Sequence, residues 1–250
     1  MSSISAMLYR ETKIRATNIT FVFWDLFYPL CYLLVFGVGV TASLGTPLSA
    51  PGVTYNSFFL AGVLGMASFG IASNSSWSFF MDRDNGIFYE MLTYPMSRSE
   101  YLLGKVLFNV FIAIIQMVIT LGLGTWLLGI RLRADLLPLL VVTVILGTAG
   151  WFFFYTIFAL KIQRNDIFNS VTSVFYFVFL FASSMFYPLE PLPRWFRVIG
   201  LANPITWQVD LLRYTSIGLG NPHQLGTEAV AFGIFVLACF GYAVRSLKQI

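Results

Sequence analysis

The chain has 250 residues, a net charge of +4, and only 10% charged against 58% hydrophobic and 18% aromatic residues. A soluble domain carries about 25% charged residues, so this composition, with a mean hydropathy of +0.78, excludes a soluble globular protein. It predicts a single all-α integral membrane domain over residues 1–250. The one histidine, His223, rules out a histidine-cluster metal centre, and Cys31 and Cys239 read as small buried hydrophobes rather than a disulfide or metal pair.

Residues 1–18 place Arg10, Glu11, Lys13 and Arg15 among Ile4, Met7, Leu8 and Ile14. That pattern predicts an interfacial helix lying along the membrane, not the charged start and short apolar core of a cleavable signal peptide. The first span is expected over about Ile19–Val40, with one charge, Asp25. A Gly/Pro/Ser loop follows, with Gly45, Pro47, Pro51 and Gly52, and then a second span over about Tyr55–Phe80. Four more spans are expected at about Val106–Ile130, Leu136–Leu160, Ile167–Met185 and Ala229–Val244. Runs of 20 to 25 apolar residues suit a hydrocarbon core about 30 Å thick at 1.5 Å per residue. The expected fold is therefore six transmembrane helices.

The stretch from Phe80 to Lys105 interrupts the membrane pattern, with Asp82, Arg83, Asp84, Glu90, Arg98, Glu100 and Lys105. Ile87, Phe88, Met91 and Leu92 stripe one face of a short helix within residues 81–94. Asp84 is the expected N-cap and Tyr94-Pro95 the stop. Ser97-x-x-Glu100 is a capping box that opens the next long helix. With the N-terminus inside, ten basic residues fall on the inner side: Arg10, Lys13, Arg15, Arg83, Arg98, Lys105, Lys161, Arg164, Arg245 and Lys248. Five fall outside: Arg131, Arg133, Arg194, Arg197 and Arg213. The positive-inside rule then puts both termini and the 81–94 helix in the cytosol, in a cytoplasmic or inner membrane. A short helix at that place is either a surface connector or a docking element for a soluble partner.

Residues 186–226 are too long for a turn and too apolar for a solvated loop. Pro188, Pro191 and Pro193 break the chain, Trp195–Leu201 forms a short helix, Asn203-Pro204 breaks it again, and Ile205–Ile217 forms a second helix. The expected arrangement is a re-entrant hairpin dipping into the outer leaflet; the plainer alternative is an amphipathic loop on the surface.

Two sets of residues resemble the ABC-2 type exporter permeases. One is Phe186, Pro188, Leu192-Pro193, Asn203-Pro204-Ile205-Thr206, Asp210 and Arg213. The other is Asp82-Arg83, Gly86, Pro95-Met96-Ser97-Arg98 and Leu103-Gly104-Lys105. The resemblance extends over nearly the whole chain, in length, span count and topology. It implies a half-exporter: two such chains, identical or related, would pair, and each would receive an ATP-binding subunit on its cytosolic side. The 81–94 segment would be the coupling helix, contacting that subunit through Arg83, Ile87, Phe88, Glu90, Met91 and Leu92. Pro188, Pro193, Asn203, Pro204, Asp210 and Arg213 would form the outer re-entrant motif. ATP and magnesium would belong to the partner subunit. This chain, which has no G-x-x-x-x-G-K-[ST] phosphate loop, would bind no cofactor and perform no catalysis.

Single residues carry two readings each. Asp25, costly in hydrocarbon, either lines a translocation path or pairs with a neighbouring basic group. Glu90 either meets an arginine of the ATP-binding subunit or points into water. Asp210 and Arg213, with Glu190, either gate an exit or tie the short helices together. The run Trp151–Tyr155 reads as packing or lipid-facing surface. Substrates divide between amphipathic drugs, antibiotics or lipids, favoured by spans without a charged row, and polysaccharide or lipo-oligosaccharide. A different class, an ATP-independent secondary carrier, would show matched broken helices in two halves, and only residues 186–226 look broken. Membrane lipids are expected partners; nucleic acid is not.

Overall fold

The computed structural model describes residues 3–44 and 54–247; the Gly45–Gly52 loop and Lys248 lie outside the described residues. Eleven α-helices occur there, with no strand among the described residues. Helix α1 (Ser3–Thr17) precedes a continuous helical stretch built of α2 (Ile19–Val22), a π-helical turn (Phe23–Phe27) and α3 (Tyr28–Leu44). Then come α4 (Tyr55–Asp84), α5 (Ile87–Met91), α6 (Arg98–Leu128) and α7 (Leu137–Lys161). The last four are α8 (Asn165–Phe181), α9 (Arg194–Ala202), α10 (Pro204–Ile217) and α11 (Pro222–Leu247).

Helix α4 is the axis of the bundle. Its most apolar window is 78% buried, whereas the other four long helices reach at most 44%. It packs against α3, α6, α7 and α10, and α11 closes over α7. The sequence explains the position: Ala61, Gly62, Gly65, Ala67, Ser68 and Ala72 give α4 a surface of small side chains, which lets neighbours approach closely without a hydrophobic driving force between helices in lipid. The run Trp151–Tyr155 supplies much of the opposing core: Trp151, Phe152 and Tyr155 are fully buried, and Trp151 meets Phe69 of α4 edge-on at 4.6 Å.

Among the described residues, five helices are long and apolar enough to cross a membrane: Ile19–Val40, Tyr55–Asp84, Arg98–Leu128, Ala134–Lys161 and Pro222–Leu247. The sequence leads to six, and the difference falls at the expected span Ile167–Met185. There α8 stops at Phe181 after 17 residues, which is about 26 Å of helix. From Ala182 to Tyr187 the backbone runs through turns and bends while Ser183, Ser184, Met185 and Phe186 stay buried. The last span also begins earlier than expected, because Pro222 is tolerated in a first helical turn, where its missing N–H is no loss. The irregular segment before it therefore ends at Asn221.

Candidate coupling surface and membrane cavities

At the α5 end of the bundle, the expected helix over 81–94 is divided. Helix α4 continues through Asp84, the chain turns at Asn85-Gly86, and α5 holds five residues. Asp84 is therefore not the N-cap. Gly86 takes that place at φ +78°, a left-handed conformation that glycine adopts without strain. Ser97 and Glu100 form the reciprocal capping box that starts α6.

Of the residues expected to contact a partner here, Phe88 is fully buried and stands edge-on to Phe79 at 5.5 Å and Tyr101 at 5.1 Å. Ile87, Met91 and Leu92 are half-buried, and Glu90 is exposed beside Tyr89. Phe88 thus anchors α5 to α4 and α6, leaving Tyr89, Glu90 and Tyr94 as its outward tip. The guanidinium of Arg83 is turned inward, donating to the backbone carbonyls of Ala159 and Ile162. Those carbonyls belong to the last turn of α7 and to its C-cap, and have no partner within the helix.

Beneath α5 lies an ionic hub that joins three helices. Lys105 of α6 is fully buried, with Nζ 2.9 Å from Glu11 Oε1 and 3.0 Å from Asp82 Oδ2, and it donates to Ser78 Oγ at 3.2 Å. Arg10 donates to both oxygens of Asp82, at 2.6 and 3.0 Å, and to Glu11 at 3.0 Å; the Tyr101 hydroxyl donates to Asp82 as well. Burial opposes the charge on Arg10, but the hydrogen bond and field of Asp82 outweigh it and hold its pKa above the ordinary guanidinium value. Two cations and two carboxylates balance. The preceding residue, Gly104, lets α1 come close enough: a Cβ there would lie 2.5 Å from Met7 Cβ. The Leu103-Gly104-Lys105 and Asp82-Arg83 motifs thus have physical roles, a contact point, a hub and a clamp.

Sequence reasoning placed Glu11 in an interfacial helix and counted Lys105 among the cytosolic basic residues, and so missed the hub. The available signal was the stripe Met7, Glu11 and Arg15, four residues apart on one helix face, which is the buried face of α1. Its third member explains Asp25. Arg15 Nη1 lies 2.7 Å from Asp25 Oδ2, and Asn74 Nδ2 donates to Asp25 Oδ1 at 2.7 Å. Asp25 sits in the π-helical turn and is 2% exposed. It pairs with a basic neighbour and is separated by Asn74 from the adjacent cavity. A cavity of about 670 Å³ lies against the other side of Asn74, between the first helical stretch, α4 and α8. Its wall mixes aromatic rings (Phe21, Trp24, Trp77, Tyr176) with amides and hydroxyls such as Asn169 and Ser73.

At the opposite end, the motif expected on the outer side organises the irregular segment after α8. Asn203 bridges two helices: its side chain caps α10 by accepting from the Ile205 amide at 3.0 Å, and its Nδ2 donates to the carbonyls of Phe179 and Ala182 at 2.8 and 2.9 Å. Pro204 fills the first turn of α10. Thr206 Oγ1 accepts from the Ser184 amide at 3.2 Å, and Arg213 donates to the Ser184 carbonyl at 2.8 Å. Asp210 accepts from Ser184 Oγ at 2.8 Å and from Arg213. The Arg213 guanidinium also lies 3.8 Å over the Phe58 ring of α4. Unwound backbone deep in a membrane protein must find partners within the protein, and Asn203, Thr206 and Arg213 supply them. Pro193 stands at the N-cap of α9, and Pro188 lies on the wall of a second cavity of about 740 Å³.

Comparison with known proteins places the chain in a family. A family model described as ABC-2 type transporter matches residues 2–217. The chain is similar to a protein of Pyropia yezoensis that bears the name transport permease ycf38, at 25% identity over 219 residues, covering 84% of this chain and 75% of the relative. A protein of the same name from Cyanophora paradoxa is 27% identical over 190 residues, 74% of this chain and 64% of the relative. Another, from Escherichia coli K12 and bearing the name multidrug ABC transporter permease YbhR, is 24% identical over 164 residues, 65% of this chain and 44% of the relative.

Proposed function

Because the chain belongs to the ABC-2 type transporter family and is thus an integral membrane transport subunit, we propose that it is the permease of an ATP-driven exporter, working with a separate ATP-binding subunit and a second permease chain. The observation that carries the reading is the mounting of α5. Its anchor, Phe88, is locked between α4 and α6; the ionic hub joins α4 and α6 to α1; Arg83 joins α4 to the end of α7. A push on the exposed Tyr89–Glu90 tip would move four helices together, as a lever between a soluble motor and the membrane requires. Tyr89, Glu90 and Tyr94 are the contact residues in this reading, with Ile87, Met91 and Leu92 flanking them, Phe88 the anchor and Arg83 the clamp. ATP and magnesium act on the partner subunit, and both termini of this chain lie with it in the cytosol. Helix α8 completes six crossings, and α9 and α10 form the outer re-entrant hairpin.

The cavity between the first helical stretch, α4 and α8 is the proposed substrate-facing surface. Its aromatic walls with scattered amides and hydroxyls suit an amphipathic drug-like or lipid-like molecule. Asp25 acts from behind that wall by holding Asn74 in place. The reading is tested by co-expressing the chain with the ATP-binding protein encoded beside it. Tyr89→Ala with Glu90→Arg should abolish co-purification and stimulated ATP hydrolysis, leaving the melting temperature of the chain unchanged. A complex that survives this double substitution would remove α5 from the interface.

A further inference from the structure

The second cavity, an open cleft lined by α9, α10, the start of α11, the segment after α8 and Phe58 of α4, holds a buried acidic group that the transport reading does not use. Glu228, in the second turn of α11, is 5% exposed. Its Oε1 accepts from Gln224 Nε2 at 2.8 Å, but its Oε2 has no hydrogen-bond partner. A carboxylate out of water without a partner is costly, and the nearby cation is already committed. Arg213 donates to Asp210 and to the Ser184 carbonyl and covers the Phe58 ring; its field reaches Glu228, but it donates no hydrogen bond there. With Asp210 and Arg213 closed on each other, the cavity retains two carboxyl groups, Glu190 and Glu228, against one further cation, Arg197.

Beside these charges and a few amides and hydroxyls, the wall carries an apolar patch of Leu189, Leu201, Leu225 and Trp207. The indole of Trp207 is fixed by its Nε1 donating to the Leu201 carbonyl at 2.7 Å. A volume of about 740 Å³ lies within the range of small-molecule sites. From these features we propose that the cavity binds the cationic nitrogen of an amphiphilic molecule, with Glu228 Oε2 as its counter-charge and Trp207 as its aromatic wall. Such a nitrogen could be supplied by an aminophospholipid headgroup or by a free organic cation; the chemistry recognised is the same. The site is independent of any ATP-binding partner, so its test and that of the coupling reading fail separately.

The test uses the full chain purified in dodecyl maltoside, which contains no amine, with ethidium as the cationic probe and 8-anilinonaphthalene-1-sulfonate as an anionic one of similar size. Glu228→Gln keeps the volume and the acceptor for Gln224. It should weaken ethidium binding by about tenfold or more, as loss of one charge-assisted contact does, and leave the anion unaffected. Glu228→Asp, which retains the carboxylate, should keep most of the cation affinity. Adding phosphatidylethanolamine to the micelles separates the sources: competition with ethidium identifies the headgroup, and its absence identifies a free cation. Undetectable ethidium binding to the wild type, equal binding by wild type and Glu228→Gln, or parallel loss of cation and anion binding would each overturn the proposal.

Discussion

Replacing Lys105 with methionine removes the centre of the hub while leaving most of the stem volume in place. Arg10 and Lys105 balance Glu11 and Asp82, so the variant leaves one buried carboxylate charge in excess. Removing one partner of a buried ion pair costs about 3–5 kcal/mol. Arg10 still reaches both carboxylates and Tyr101 still donates to Asp82, which argues for the lower end, about 3 kcal/mol. For a chain of this length that is a fall in melting temperature of about 6–12 °C, read by tryptophan fluorescence in detergent. Adding Glu11→Gln to Lys105→Met restores neutrality and should recover about half of the loss, giving a coupling well above experimental error. A single variant that melts within about 2 °C of wild type, or a double variant whose losses simply add, would refute the hub as an electrostatic unit.

Other substitutions separate packing from contact. Phe88→Ala should destabilise the chain itself by about 3–5 kcal/mol, because a fully buried ring leaves a cavity; thermal unfolding without any partner reads this. Asn203→Ala removes a helix cap and two carbonyl partners and should cost about 2–4 kcal/mol. Asn203→Asp keeps the acceptor for Ile205 but should still loosen residues 179–187, seen as faster amide exchange there and not at α6. Arg83→Met should free the end of α7, with faster exchange at residues 159–162, whereas Arg164→Ala, at an exposed pair with Asp166, should leave both exchange and melting temperature unchanged.

What was legible in the sequence was local. The Asn203-Pro204 break, the Ser97–Glu100 capping box and the start of the first span at Ile19 each rest on residues within a few positions of one another. The long-range features were not. Asp84 looked like a helix start because Asp82 and Arg83 read as solvated charges, the usual end of a span. They are instead held by Arg10, 72 residues away, and by Ala159, 76 residues away, so α4 continues past them. The apolar run Ile167–Met185 had the composition of a full span. It stops at Phe181 because Asn203 and Arg213, more than twenty residues downstream, accommodate an unwound backbone that composition alone would forbid. For Asp25, the sequence offered a path residue or a paired acid, and the structure provides the pair in Arg15.

The hub also sets an order on biogenesis. Glu11 is separated from Lys105 by 94 residues, so at about 5–20 residues per second it leaves the ribosome roughly 5–20 s before its counter-charge exists. During that interval Arg10 alone serves Glu11 and, later, Asp82, and the carboxylate charge left in excess is cheapest in contact with water. Full docking of the first helix is therefore expected only once α6 has been inserted. Its docking becomes a late checkpoint, which a nascent chain stalled before Lys105 would fail and an insertion-quality protease would find still open.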